Sequence, residues 1–562
     1  MIRKIQQYPL FSFGLLAAIF FLPFLGGVHL FDWDEVNFAE IAREMVLMDN
    51  YLQIHVNYIP FTEKPPGFFW LQALSMNLFG IGEYGARFPN AVFGIITLPS
   101  IYYVGNKING RTFGILWALA YFGTILPNLY FKSGIIDPVF NYFIFMGLVY
   151  LIFYIWKTKN YMNIHLPKNA LFYLLMAGVF TGFAILAKGP VAYLITALVL
   201  FVYWVSVQFK FFLKPLPFLL YSISTLVVTL IWYGVEYYYN GPTFILEFIE
   251  RQWTIFSTED AGHGGFPGYH LIVLFFGCFP ATAFAIHAMI NKDKEEKTSA
   301  DPIAIGFKKW MTILFWVILI LFSIVQSKIV HYSSMAYFPI TYLAALSLFK
   351  IYKGEWKFEK LHKVILGITL SPLVIAPILI NFIGFNPEIG KKIFAKDPFA
   401  VANLDADINW TGLEIIPTIL LVIVFVLGIR AFKKRKTVKG AFVLFGGTAV
   451  WVFLILVFFV TKIEGYSQNE NVEFWKSKKL EDCYLFSYKY KTYTKLFYGV
   501  NGPNKTVAND KGWHYLTGPI KKPVYFSFKI NREEDFLKEA VNAKLLYRKN
   551  GFCFYVRDAV VK

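Results

Sequence analysis

The chain has 562 residues, of which 57% are apolar and only 16% charged. A soluble domain carries roughly 25% charged residues. Aromatic residues here reach 20%, with 61 Phe and 35 Tyr, which excludes a soluble single-core protein, a disordered chain and a collagen-like one. The net charge of +18 fits Lys and Arg anchoring the cytoplasmic loops of a membrane protein, and no nucleic-acid partner is expected. Three cysteines exclude a disulfide scaffold and a zinc site of the usual spacing.

Apolar runs long enough to span a bilayer recur along the chain and predict about thirteen transmembrane helices. In order they fall near 10–30, 88–106, 112–130, 135–156, 170–187, 189–207, 215–234, 268–290, 310–326, 333–350, 362–384, 413–432 and 440–461. The first run ends in Val28, His29, Leu30 and Phe31, which offer no small-x-small cleavage site, so it reads as an uncleaved span.

Basic residues orient the bundle. With Arg3 and Lys4 in the cytoplasm, so are Lys107 and Arg111; Lys157, Lys159 and Lys168; Lys210 and Lys214; the runs Lys292 to Lys309 and Lys350 to Lys363; and Lys433 to Lys439. The opposite loops are poorer in Lys and Arg, as the positive-inside rule requires. Four segments then lie outside: 31–87, 235–267, 385–412 and a tail from about 464. The expected organisation is a membrane domain over 1–463, with loops 31–87 and 235–267 forming the active site, and a small extracytoplasmic α/β domain over 464–562. In the tail, strand-like runs at Cys483 to Tyr488, Val524 to Ile530 and Phe552 to Arg557 flank a polar helical stretch from Arg532 to Ala543. Cys483 and Cys553 both fall in these strands, and spacing alone leaves their pairing open.

Polar residues are scarce here, so their positions are informative. Asp34 to Met48 sets Phe38, Ile41, Ala42 and Met45 on one helical face, an amphipathic helix suited to the membrane surface. Asp34 at its start suits either an N-cap or a base at the mouth of the first span. In "FTEKPPG", Glu63 and Lys64 precede two prolines that favour an extended lead into the next helix, and Lys64 suits a phosphate as a point charge. Asp137 opens the fourth span ahead of Pro138, again either as a cap or as an active-site acid. Lys188 sits at a Gly-Pro turn between two apolar helices, to snorkel or to bind an anion. The loop 235–267 holds Arg251, and Glu259, Asp260 and His263 among glycines. Glu and His there are either a flexible polar loop or ligands of a divalent, zinc-like metal together with Glu63. "QSKIVHYSSMAYFP" adds Lys328, His331 and Tyr332. Carboxylates, cations, His and Tyr on one membrane face suit a substrate with a phosphate head and a lipid tail.

Five motifs, "DEVNFAEIAREM", "FTEKPPGFFWLQAL", "GARFPNAVFG", "GFAILAKGPVA" and "SKIVHYSSMAYFP", resemble the lipid A aminoarabinose transferase family. These are relatives of the protein O-mannosyltransferases among GT-C glycosyltransferases. The likeness runs from about residue 10 to 350 and then fades to topology alone. It implies thirteen helices, an active site on the outer face of the cytoplasmic (inner) membrane, a polyprenyl-phosphate-linked sugar donor and a glycolipid or protein acceptor. It also implies roles: Asp34 and Asp137 as catalytic acids, Glu63 and Lys64 beside the donor phosphate, Glu63 and His263 toward a metal, and Tyr332 toward the phosphate. Phe61 stands where the family often has Tyr, and His331-Tyr332 replaces the more usual Thr-Tyr. The implied reaction is direct displacement at the anomeric carbon, with Lys64, Arg251 and Lys188 neutralising the leaving phosphate. A transporter of lipid-linked sugars would need charges at mid-membrane, where this chain has almost none. A structural scaffold would leave the outer-face constellation without a purpose.

Overall fold

A computed structural model describes residues 7–159, 166–259, 264–291, 306–500, 502 and 513–559. Most of them are helical. Among the described residues eight helices are long and apolar enough to cross a membrane, or nine with one bent pair counted as a span. The protein is therefore a multi-pass membrane protein. Each expected span coincides with helix, but several are shorter or interrupted. The first helix, Pro9–Phe21, stops ahead of Pro23, which has no N–H to continue it. The run 112–130 divides into Arg111–Phe122 and Ile125–Tyr130. The run 268–290 is not one rod: Tyr269–Gly277 and Ala281–Ile290 meet at 114° around Pro280, which has no N–H to continue the first helix.

Helices Asp137–Lys159 and Val330–Tyr352 are almost wholly enclosed by their neighbours, whereas Pro215–Asn240 lines the periphery. The two enclosed helices begin at the same end of the bundle, where Ala170–Lys188 finishes. Asp137, Lys188, His331 and Tyr332 thus meet at the mouth of the bundle axis, although up to about 200 residues separate them in the chain.

The helix Asp34–Met48 forms where the apolar spacing predicts it, but protein rather than an open surface surrounds it, with Glu35 to Met45 all buried. Its charged face is buried as well. Arg43 donates to both oxygens of Glu40 at 2.7 Å and to the Val500 carbonyl at 3.1 Å, and Glu44 accepts from the Tyr58 amide at 2.9 Å. The C-terminal segment covers that face, so the charges are paired by protein rather than solvated.

Two sheets occur. A small antiparallel pair joins β1 (His55–Val56) to β2 (Ile59–Pro60). Near the C-terminus β3 (Tyr484–Ser487), β4 (Val524–Lys529), β5 (Lys544–Lys549) and β6 (Phe552–Arg557) form a sheet in the order β3-β4-β6-β5. β3 and β4 are parallel, and the other pairs are antiparallel. Asn550 and Gly551 both take positive φ, as a two-residue hairpin turn needs. β5 escapes the sequence reading because all six of its residues are exposed, so no alternation marks it. The helical part of the tail is shorter than the stretch 532–543, at Glu533–Glu539.

Cys483 and Cys553 are not paired; both are buried thiols. β4 separates their strands, and Cys553 faces Phe528 while Cys483 precedes the Tyr484–Val524 pair. One intervening strand alone sets them about 10 Å apart, beyond the ~7 Å Cα separation a disulfide can bridge.

Candidate active site

At the mouth of the bundle lies one cavity of about 960 Å³. Asp34, Glu63, Lys64, Asp137, Lys188, Arg251 and Tyr332 all line it. His263 lies outside the described residues. Local chain geometry brings three of the cations together. A Cβ on Gly67 would stand 2.6 Å from the Leu186 carbonyl oxygen, so only glycine lets the Lys64 segment press onto the end of the Lys188 helix. Gly189 has φ +106°, and a Cβ there would meet the Phe248 ring at 2.5 Å. That contact seats the helix Thr243–Ser257, which carries Arg251, against the same turn. Pro66, expected to be extended, takes helical angles and starts the helix Gly67–Phe79 directly.

The charges are arranged in pairs. Lys188 Nζ donates to Asp137 Oδ1 at 2.7 Å and sits 5.2 Å from the centre of the Tyr332 ring. Arg251 Nε lies 3.2 Å from Glu63 Oε1. His331 Nε2 lies 3.1 Å from Asp34 Oδ2 and 3.7 Å from Asp137 Oδ2. Asp34 makes no helix-capping bond with its side chain, so its carboxylate belongs to the cavity. Glu35, its neighbour, is spent on structure. It accepts from Arg87 Nε and Nη2 at 2.8 Å and from the amides of Phe31 and Gly134 at 2.9 and 2.6 Å.

Lys64 has no hydrogen bond or ion pair among the described residues. Burial is the main force lowering its pKa and the neighbouring Lys188 adds to it, while Glu63 and Asp34 pull the other way. Burial raises the Asp34 carboxyl, but the His331 hydrogen bond and the charges of His331, Lys64 and Lys188 outweigh it and hold the pKa below the ordinary value. Six Lys and Arg and five Asp and Glu line the cavity. With the carboxylates ionised, an uncompensated positive charge remains for an anion, and Lys64 is among the lining cations with no ion pair to an acid among the described residues.

Several lining residues escape the sequence reading. Lys132 donates to the Pro23 carbonyl at 2.6 Å, and burial brings its pKa down to about 8. A lone lysine on the side expected to be poor in basic residues is the signal that marks it. Asp32 opens onto the cavity yet is ringed by protein. Burial raises its pKa to about 6, against the lowering effects of Thr492, the Tyr493 amide and two lysines. Lys491 and Tyr493 come from the C-terminal segment, where nothing local sets them apart. The tail is tied to the first loop there: the Tyr493 amide donates to Asp32 at 3.2 Å, Trp33 Nε1 to the Lys491 carbonyl at 3.0 Å, and the Leu30 amide to Tyr498 at 2.8 Å. The final apolar helix adds Phe453, Leu456, Val457 and Val460, the last three within a π-helical turn, Leu456–Val460. Such turns often occur at functional sites.

Among the described residues no three His, Cys, Asp or Glu side chains converge as a metal site, and Glu63 is engaged by Arg251. These residues alone do not make up a metal-binding set.

Fold and cavity define a multi-pass membrane protein with a charged chamber at one end of an apolar bundle. Its fold is that of ArnT from Cupriavidus metallidurans, solved bound to undecaprenyl phosphate and in the apo state. Those structures align with TM-scores of 0.73 and 0.74 over 97% of both chains, at 17% and 18% identity. In sequence the chain is 24% identical over 383 residues to an undecaprenyl phosphate-alpha-4-amino-4-deoxy-L-arabinose arabinosyl transferase from Wigglesworthia glossinidia brevipalpis, covering 66% of this chain and 64% of the relative. The like-named protein from Shewanella sediminis is 25% identical over 395 residues, 69% of this chain and 67% of its own. Residues 63–232 match the family described as dolichyl-phosphate-mannose-protein mannosyltransferase. The chain is thus similar to the aminoarabinose transferases in sequence and has the ArnT fold.

Proposed function

We propose that the chain is a membrane glycosyltransferase that moves a sugar from a polyprenyl-phosphate donor to an acceptor, most suitably a lipid A-type glycolipid. The observation that carries this reading is the cavity itself. Seven candidate residues from six separate segments face one space, in which Asp137 is paired with Lys188 and Glu63 with Arg251. The names of the similar proteins, which include a donor carrier in the solved case, support the same chemistry.

In this reaction Asp34 takes the proton of the acceptor hydroxyl or phosphate as its oxygen attacks the anomeric carbon. The bond from that carbon to the donor phosphate oxygen breaks, and its electron pair leaves with the phosphate. Lys64, Lys188 and Arg251 neutralise the charge that develops there, where low dielectric makes each cation effective. Asp137 holds Lys188 in place. Tyr332, under the Lys188 amine, is on the phosphate side. A divalent cation at Glu63 and His263 would stabilise the same leaving group. Elemental analysis of purified wild type against Glu63→Gln tests it.

The same reading includes thirteen spans, made up by the shorter and broken helices beside the eight long ones. It sets the site on the outer face of the cytoplasmic membrane and treats 464–562 as a small outer α/β domain. The match of residues 63–232 to the protein mannosyltransferase description favours one second reading, in which a protein hydroxyl is the acceptor. Incubating the purified protein with candidate polyprenyl-phosphate sugars and each acceptor class, followed by mass spectrometry of released lipid and modified acceptor, tests both. Absence of lipid phosphate release with every donor would sink the proposal.

A further inference from the structure

His331 stands within reach of two cavity acids. Its Nε2 lies 3.1 Å from Asp34 Oδ2 and 3.7 Å from Asp137 Oδ2, and Asp137 already accepts from Lys188 through Oδ1. A carboxylate only accepts hydrogen bonds, so Nε2 is the ring nitrogen placed to donate to Asp34. Oδ2 is the Asp34 oxygen within ion-pair distance of the ring.

The ring is anchored from behind. His331 lies in the 3-10 turn Val330–Ala336, its carbonyl accepts from Ser334 Oγ, and Ser334 Oγ accepts from Asn141 Nδ2 at 2.7 Å. Asn141 is one turn beyond Asp137 on the same helix. The turn that carries His331 is thus clamped to the helix that carries Asp137, and the imidazole is held by buried structure rather than by a mobile loop.

We propose that His331 is a positioning residue for Asp34, fixing the carboxylate through Oδ2 so that Oδ1 faces the acceptor. This rests on the glycosyl-transfer reading. The groups that face His331 are Asp34, Asp137 with its partner Lys188, the adjoining Tyr332, and His270 from the helix Tyr269–Gly277. Lys328, next to the turn, directs its amine away, to the carbonyls of Phe322, Ser323 and Val325. A side chain that can donate at this place keeps the carboxylate oriented, and one that cannot leaves it free to turn.

Steady-state kinetics on the full chain, with wild type, His331→Ala and His331→Gln, test the proposal. Gln can still donate one hydrogen bond. His331→Ala should lose about 10- to 100-fold in kcat, a fraction of what a general base supplies, with donor KM changed less than twofold. His331→Gln should recover most of that loss. In the Asp34→Asn background His331→Ala should cost nothing further, because the carboxylate it positions is gone. Near-normal kcat in His331→Ala, no recovery in His331→Gln, or the full loss repeated in the Asp34→Asn background would overturn it. Wild type with no transfer on any donor would refute the functional reading instead.

Discussion

Lys188 closes one helix and Asp137 opens another, and their side chains meet at 2.7 Å at the edge of the cavity. Neither residue is marked as the other's partner by its own surroundings in the chain. Once paired, each restrains the other: Asp137 holds the Lys188 amine over the Tyr332 ring, and Lys188 compensates an otherwise buried acid. The cavity is thus preorganised before substrate arrives, which is what a site acting by electrostatic stabilisation requires.

Asp34→Asn should reduce turnover by about two to four orders of magnitude, because Asn cannot accept a proton. Donor binding should persist. The fold should persist too, since the Asp34 side chain makes no helix-capping bond that the change could break. Single-turnover transfer alongside donor binding checks this. Near-normal turnover in folded protein would pass the role to Asp137, since Glu35 is bound to Arg87 and two backbone amides.

Lys64→Ala should abolish transfer while thermal stability stays within a degree or two of wild type. Its amine has no paired acid among the described residues, so truncation leaves no carboxylate orphaned. Arg87→Ala is the contrasting control. It strands the buried Glu35 and should cost about 3–5 kcal/mol. Thermal unfolding in detergent, measured beside activity, separates the two cases.

Gly67→Ala should reduce transfer although the residue has no chemistry of its own. The added Cβ would stand 2.6 Å from the Leu186 carbonyl oxygen, backbone that cannot rotate away. The Lys64 segment must then shift from the Lys188 turn, at a cost of about 1–3 kcal/mol for overpacking. A weaker donor KM with intact membrane insertion is the expected result, and wild-type donor KM would contradict the close approach.

The pH profile of kcat/KM follows from the free enzyme. Lys64 is held below the ordinary lysine value of 10.5, chiefly by burial, so it loses its charge earlier as pH rises. The alkaline fall in donor capture should therefore begin below that value, and Lys64→Arg should move it upward, because guanidinium stays charged. Asp34 is held below its ordinary value by His331 and the nearby lysines, against burial, so it remains ionised further into the acid range. The acid limb should lie lower than for a free carboxylate.

Reporter fusions should give opposite signals at Lys294 and after residue 464, with Lys294 cytoplasmic. Lys294 lies outside the described residues, so this rests on the charge pattern alone. A cytoplasmic C-terminal segment would reverse the bundle and move the cavity to the side where nucleotide-activated donors are available.

The sequence by itself determined the membrane class, the approximate position of each helix and a short pool of candidate residues. The physical reason is that apolar runs are local and that charges are costly in an apolar chain, so each one stands out. It also marked three of the four C-terminal strands, where residue type and alternation are local signals. The tertiary structure alone decided what meets what. It buried the charged face of Asp34–Met48 under a segment more than 400 residues away, bent the chain at Pro280, and kept Cys483 and Cys553 apart. It also brought His331, Lys132, Lys491 and Tyr493 to the cavity. Hydropathy records whether a residue leaves water, not which distant residue it meets. Asp34 and His331 are 3.1 Å apart because helices close around them, and no period in the chain encodes that distance.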